Sequence, residues 1–337
     1  MFRKGISIAA TIATLIAASP AAADEPITLR FAIPGASPTS STYTGVFQPW
    51  MAQVEADAAG NLKLQEFFTI ANFGNVYDRV VNGVADLGYM VLGSMGGKFP
   101  GSSVVELPSD IAYGREGAGA FWKLYQDGTV TAEYREVRPL ALFVFPQNVL
   151  SSPKAVATLA DLKGLRVATL SKGAGDIVER LGGAPMSTNP AGIYEILQRR
   201  TADAAIIGWL GLTSLKLAEV TNYHVALGLD SGGGALVMNK DVYDKLPVKA
   251  KQAIDKNSGS AASQALGGSF DRVYANAENI VRNLPGHFIV SVTQADKERY
   301  ARDIAGPLTA EWVQKTPNGA AILAAYRAEA GKLRQAR

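Results

Sequence analysis

Two segments of this chain run through the same sequence of events, and few folds can accommodate both. Tyr77-Asp78-Arg79-Val80-Val81-Asn82-Gly83-Val84-Ala85-Asp86 leads into the apolar run Leu87 to Leu92, and Tyr194 to Asp203 leads into Ala204 to Ile207 in the same phase. Each reads as the end of a helix followed by a strand without polar alternation. Such a strand must be covered on both faces, as in a sheet flanked by helices. Gly83 stands where a helix takes its left-handed terminal residue. In the second copy Arg200 holds that place, which weakens the parallel. One such unit in each half of 337 residues predicts two α/β lobes, each large enough for its own core.

The flanking segments extend the first unit. Thr28 to Ile33 has strand composition and ends in Pro34-Gly35, which opens a polar loop through Ser41. Tyr43, Val46, Phe47, Trp50, Met51 and Val54 then recur at helical spacing up to Gly60-Asn61, with Pro49 inside the pattern. A proline there lacks an amide donor and clashes with the preceding turn, so a kink or a restart is expected. Leu62, Leu64 and Phe67 suggest a second strand and Val76 to Asn82 a second helix, completing strand, helix, strand. Pro139 to Phe145 and Leu165 to Leu170 are further strands. The polar stretch Pro146 to Lys154 and the segment Leu227 to Gly234 are candidate crossings between lobes. Val248 to Asn283 and Ala295 to Arg337 read as helical around a strand at Phe288 to Val292, ending in a solvated charged helix from Leu323 to Arg337. The resulting division is a leader over 1–23, one lobe from 24–146 plus about 229–285, and a second from 147–228 plus about 286–337.

The leader is legible in Phe2-Arg3-Lys4, the uncharged stretch Ile6 to Ala18 and the small residues Ala21-Ala22-Ala23, with cleavage expected before Asp24. Pro20, Asp24 and Glu25 end the apolar run short of the roughly 20 residues a membrane span needs. The expected location is outside the cytoplasm, as a secreted protein. The formal charge of +3 falls to 3 − 2 = +1 without Arg3 and Lys4, which offers no field for nucleic acid or anionic lipid. The cysteine count is zero, which rules out disulfides and a lipid-modified cysteine after the leader, so no stable membrane insertion is expected.

Residues that would carry catalysis are scarce. The chain has two histidines, His224 and His287, and neither belongs to a metal-ligand spacing. His224 reads as a strand-entry residue with a satisfied hydrogen bond. Gly93-Ser94-Met95-Gly96-Gly97 and Asp230-Ser231-Gly232 do not form a nucleophile elbow. Gly173-Ala174-Gly175 lacks the third glycine of a dinucleotide site, since Val178 stands there, and reads better as a helix N-terminus. A two-lobed exported protein without a nucleophile or metal cage is more naturally a binder than an enzyme, and no cofactor is expected.

Several runs resemble the solute-binding subunits of TRAP (tripartite ATP-independent periplasmic) transporters, the DctP-like family. Phe47-Gln48-Pro49-Trp50, Asn82 to Gly88, Phe99-Pro100-Gly101 and Glu106-Leu107-Pro108 look like its first lobe. Asp161 to Val167, Leu181 to Pro185, Leu217 to Thr221 and Val237 to Lys240 look like the remainder. The resemblance implies a two-lobed periplasmic binding protein fold with mixed sheets, hinge crossings and long bracing helices. It also implies capture of a small organic acid by cleft closure and delivery to TRAP membrane subunits.

One departure bears on the ligand. The family usually carries an arginine, whose planar fork clamps the ligand carboxylate, where this chain has Ala168. Two replacements are open. In one, Lys172 with Ser171 and the amides of Gly173 to Gly175 takes the carboxylate at a helix N-terminus. In the other the ligand is neutral or turned, and Gln147 and Asn72 dominate. Arg166 shares a strand face with Ala168 and could in principle reach. By resemblance Tyr43, Asn72, Phe73, Tyr89 or Met90, and Trp209 fall at cleft edges, suggesting a ligand with an aromatic or apolar body. Competing readings are the receptor of an ATP-driven importer, a sensor subunit, and a secreted enzyme using Asp86 and Asp203 as paired carboxylates.

Overall fold

The computed structural model describes residues 25–335 apart from 109, 110, 112, 157 and 191. The expected leader and its cleavage point lie outside the described residues.

Strand β1 (Ile27–Ala32) leads to a wide π-helical turn, Tyr43–Phe47, and then α1 (Gln48–Ala58). This is the restart expected at Pro49. The proline occupies the first turn of α1, where its missing amide would be unpaired anyway, and the amide of Gln48 reaches back to the Tyr43 carbonyl. Ala59 and Gly60, at φ +47° and +85°, end the helix. β2 (Leu62–Phe67) pairs parallel with β1 in full register, Ile27 opposite Leu62 to Ala32 opposite Phe67. α2 (Val76–Val81), β3 (Leu87–Val91), α3 (Gly114–Gln126) and β4 (Val137–Val144) follow.

The chain then enters a second sheet through β5 (Val149–Ser152), β6 (Arg166–Thr169), α4 (Lys172–Arg180), β7 (Ala184–Ser187), α5 (Ile193–Gln198), β8 (Ala204–Ile207), α6 (Trp209–Ser214) and β9 (Tyr223–Val225). It returns through β10 (Gly233–Asn239), α7 (Lys240–Lys245), α8 (Val248–Lys256) and α9 (Gly259–Arg282), and finishes with β11 (Phe288–Val290), α10 (Gln294–Tyr300), α11 (Gly306–Lys315) and α12 (Gly319–Gln335). The first sheet has the order β2-β1-β3-β10-β4 and the second β11-β9-β5-β8-β6-β7. Both are mixed, with β10 antiparallel to its neighbours in one and β5 in the other.

The crossing expected over Pro146 to Lys154 is shorter than that, because Val149–Ser152 is itself a strand of the second sheet. The two crossings are tied to each other. The Phe145 amide donates to the Gly232 carbonyl at 2.8 Å, and that of Asn148 to Asp230 at 2.8 Å. α9 makes a third link, with Leu266 and Phe270 in the first lobe's core and Ala277 and Val281 in the second's. The expected solvated tail helix is instead amphipathic. α12 buries Ile322, Tyr326 and Ala330, a stripe at spacing four, against α3 of the first lobe, whereas Tyr300 and Ile304 lie in the second lobe's core.

The sequence echo has a structural counterpart. The Arg30 amide and Nε donate to Asp86 Oδ2 at 2.7 and 3.0 Å, and its Nη2 to Asp86 Oδ1 and the Gly83 carbonyl. Arg166 repeats the whole set on Asp203, with Nη2 on the Arg200 carbonyl. Arg200 takes φ +56°, the counterpart of Gly83 at +69°. A non-glycine residue is strained there, and the hydrogen bond from Arg166 to its carbonyl holds it in place. Arg166 is therefore committed to Asp203 and does not reach toward a ligand. Asp86 and Asp203 each serve their own lobe and are not brought together as a pair.

Candidate functional site

A cavity of about 170 Å³ lies between the lobes. That is the scale at which a dry protein cavity accepts a single benzene-sized ring. Its first-lobe wall includes Phe73 and Tyr89, its floor Phe145 at the crossing, its back Phe270 and Tyr274 on α9, and its second-lobe wall Ile207 and Leu210.

The elements deliver these side chains for simple reasons. On β3 alternate residues face opposite ways, so Tyr89 joins the aromatic cluster while Met90 enters the core on the other face. Phe270 and Tyr274 are four apart on α9 and share a face. Phe270 stacks on Phe143 at 5.1 Å and 26° and meets Phe145 edge-on at 4.8 Å. Tyr89 meets Phe73 edge-on at 5.7 Å. These are the offset and T-shaped arrangements that the ring quadrupole favours. Gly208 makes room for the α9 wall, since a Cβ there would stand 2.4 Å from the Tyr274 ring.

The electrostatics of the cavity are acidic. Among the described residues its lining contains no lysine, arginine or histidine, and one carboxyl group, that of Glu106. Glu106 is partly exposed, into the hollows it lines. Withdrawal from bulk water pushes its carboxyl up to about 7, with the nearby Asp230 adding repulsion and the amides of Gly233 and Gly93 working the other way. Asp230 sits behind Asn148, which lines the cavity and donates to Oδ1 at 2.9 Å. Its Oδ2 is buried without a hydrogen-bond partner, and burial pushes this carboxyl up to about 7 as well. Burial also raises the Tyr89 and Tyr274 hydroxyls.

The expected site residues fall in different places. Phe73, Tyr89 and Ser171 line the cavity. Ser171 also caps α4, its Oγ accepting from the Ala174 amide at 3.1 Å. Asn72 does not line it but shapes the turn that presents Phe73, accepting from the Gly74 amide at 2.9 Å. Tyr43 is buried edge-on to Phe68 at 5.2 Å. Gln147 faces a separate hollow beside Gly228 and Tyr300. Lys172 is 82% exposed and pairs with Asp176 at 2.6 Å. Trp209 points into the second lobe's core, 5.6 Å from His224, while the next residue of α6, Leu210, faces the cavity. Ala168 is fully buried in that core, so an arginine could not simply be restored there. Sequence reasoning missed Glu106, Phe145, Asn148, Phe270 and Tyr274. The spacing of Phe270 and Tyr274 on a long helix was the one available signal, and nothing local marks it as a cavity wall rather than core.

His224 is buried on β9, with Nδ1 2.9 Å from Ser151 Oγ and Nε2 3.0 Å from His287 Nδ1, and the two rings lie parallel at 5.3 Å. Burial, with repulsion from His287, lowers its pKa to about 4, so it is a neutral structural residue. Among the described residues no group of side chains could hold a metal ion, and no helix is long and apolar enough to cross a membrane.

With this geometry in place, comparison with known proteins gives a consistent picture. The model of bacterial extracellular solute-binding protein, family 7 (DctP), matches residues 34–315. The "Outer membrane transporter protein TsaT" of Comamonas testosteroni is 27% identical over 344 residues, covering 98% of each chain. A TRAP solute-binding protein of Rhodoferax ferrireducens, solved with copurified benzoate, has a TM-score of 0.86 at 26% identity, over 92% of this chain and 99% of that one. A TRAP periplasmic solute-binding protein of Bordetella bronchiseptica, solved with both mandelate enantiomers, has a TM-score of 0.83 over 91% of this chain and 100% of that one. At 22% identity this second likeness speaks to the fold alone.

Proposed function

The chain belongs to the family 7 bacterial extracellular solute-binding proteins, and on that premise we propose that it captures a small aromatic acid between its lobes and presents the closed complex to TRAP membrane subunits. The observation that carries this reading is the aromatic cavity at the lobe junction, built by Phe73, Tyr89, Phe145 and Phe270 and sized for one ring. The benzoate found in the Rhodoferax ferrireducens relative supports the same ligand class.

Capture follows from the walls belonging to different bodies. In an open form the acid settles on one wall, and rotation at the paired crossings brings up the other, so that ligand and closure stabilise each other. The reading includes export with cleavage before Asp24, action outside the cytoplasm, and binding without turnover.

A thermal-shift screen of the exported protein against benzoate, 3-hydroxybenzoate, mandelate and aliphatic acids tests it. Ligand at about a hundredfold over its dissociation constant stabilises by roughly 2.7 kcal/mol, a shift of a few degrees. The aromatic acids are expected to shift the midpoint and short aliphatic ones to leave it in place. A shift by aliphatic acids alone would overturn the aromatic assignment.

A further inference from the structure

The lining poses a charge problem. Among the described residues an acid entering the cavity meets no cation and one carboxyl group, Glu106, with a second, Asp230, behind it. Two carboxylates in a dry site cannot both stay ionised, because like charges at contact in a low dielectric repel strongly. They can coexist when one proton lies between them, as in carboxylate dyads. Glu106 is prepared for that proton. It is half-withdrawn from solvent, it accepts from the amides of Gly93 and Gly233, and among the described residues no lysine or arginine pairs with it.

We propose that the acid group of the ligand is held through a proton shared with Glu106, so that capture of an aromatic carboxylate takes up one proton rather than pairing with a cation. This rests on the aromatic-acid reading and names the residue that sets its polar specificity. The proton comes from solvent and resides between two carboxyl oxygens, and no bond other than those of the proton changes.

The groups around Glu106 are consistent with this role. Asp230 on the second crossing and Tyr134, which burial keeps protonated, add no positive charge. Glu133 is engaged by the amides of Gly101 and Ser102 at 2.6 and 2.9 Å. Across the neighbouring hollow Lys172 pairs with Asp176, and Lys315 shares Glu311 with Arg180. Tyr89 and Tyr274 are raised phenols and stay neutral donors. Burial raises Glu106 and, behind Asn148, Asp230 alike to about 7, and of the two it is Glu106 that lines the cavity and can meet the ligand.

The test is calorimetric titration of the exported protein with benzoate from pH 5.5 to 8.5, in pairs of buffers with different ionisation heats. The expected result is uptake approaching one proton per benzoate above pH 7, with affinity falling about tenfold per pH unit there. Glu106→Gln, whose amide donates without titrating, should bind benzoate with no net proton and a flat profile. Benzoate binding to the wild type with no proton uptake and a flat profile would overturn the proposal while leaving the aromatic-acid reading intact. So would proton uptake that persists in Glu106→Gln. If benzoate, 3-hydroxybenzoate and mandelate all fail to bind at every pH, the aromatic-acid reading fails and the shared proton with it. Should Glu106→Gln fail to fold, Asp230→Asn takes its place: proton uptake that survives in it supports Glu106 as the acceptor, and uptake lost in it overturns the assignment.

Discussion

At the scale of single residues, the duplicated arginine–aspartate clamp carries different weights in the two lobes. The Asp86 side chain is 8% exposed and that of Asp203 35%. Removing the arginine therefore strands a buried carboxylate in the first lobe and a half-solvated one in the second. Arg30→Ala is expected to cost about 1–3 kcal/mol and Arg166→Ala clearly less, as read from urea midpoints, with benzoate affinity unchanged in both. His224 gives a pH signature. The unfolded chain protonates this residue below about 6.5, the folded one only near 4. The unfolded state thus binds more protons in that window, and stability falls as pH drops from about 6.5 toward 4, by at most about 3 kcal/mol. Urea midpoints of wild type and His224→Gln at pH 7 and 5 should differ in slope, the variant losing less. The same residue scale limits what sequence can say. A phase shift of one position decides that Trp209 enters the core while Leu210 faces the cavity, and no local signal in the sequence sets that phase. Trp209→Ala is accordingly expected to destabilise the fold by about 3–5 kcal/mol as a core truncation.

At the scale of elements, most strands and helices were legible because their signals are local. Pro49 placed the restart of α1, Gly60 its end, and the period-two pattern of Leu62 and Leu64 placed β2. β5 was not legible, since Val149–Ser152 follows a polar crossing and is a strand by virtue of pairing with β8 and β9, distant in sequence. The cavity was only partly legible for the same reason. Its β3 wall comes from a recognisable strand, but its back comes from α9, more than a hundred residues later, and the acidic Glu106 from a short turn. The contact between α6 and α9 can be tested alone. Gly208→Ala pushes its new methyl group into the Tyr274 ring, and the displaced ring is expected to lower benzoate affinity roughly tenfold through overpacking, with a circular dichroism spectrum like wild type.

At the scale of the whole molecule, the two-lobed arrangement with mixed sheets and bracing helices could be anticipated from the echo and the resemblance, and α9 is the longest brace, spanning both cores. The topology also governs how the molecule can be made. β10 occupies a place between β3 and β4 in the first sheet, yet it lies beyond the whole contiguous part of the second lobe in the chain. A protein threaded across a membrane from its N-terminus must therefore hold the first sheet open until residues 233–239 have emerged. A chain truncated before Gly233 should be cut rapidly by a periplasmic protease, and resistance of that fragment would show that the first sheet closes without its missing strand. Assembly is thus a late event for the entire receptor. Neither half can pass as finished on its own, and a translocation arrest anywhere before β10 leaves an open sheet edge for quality control to find.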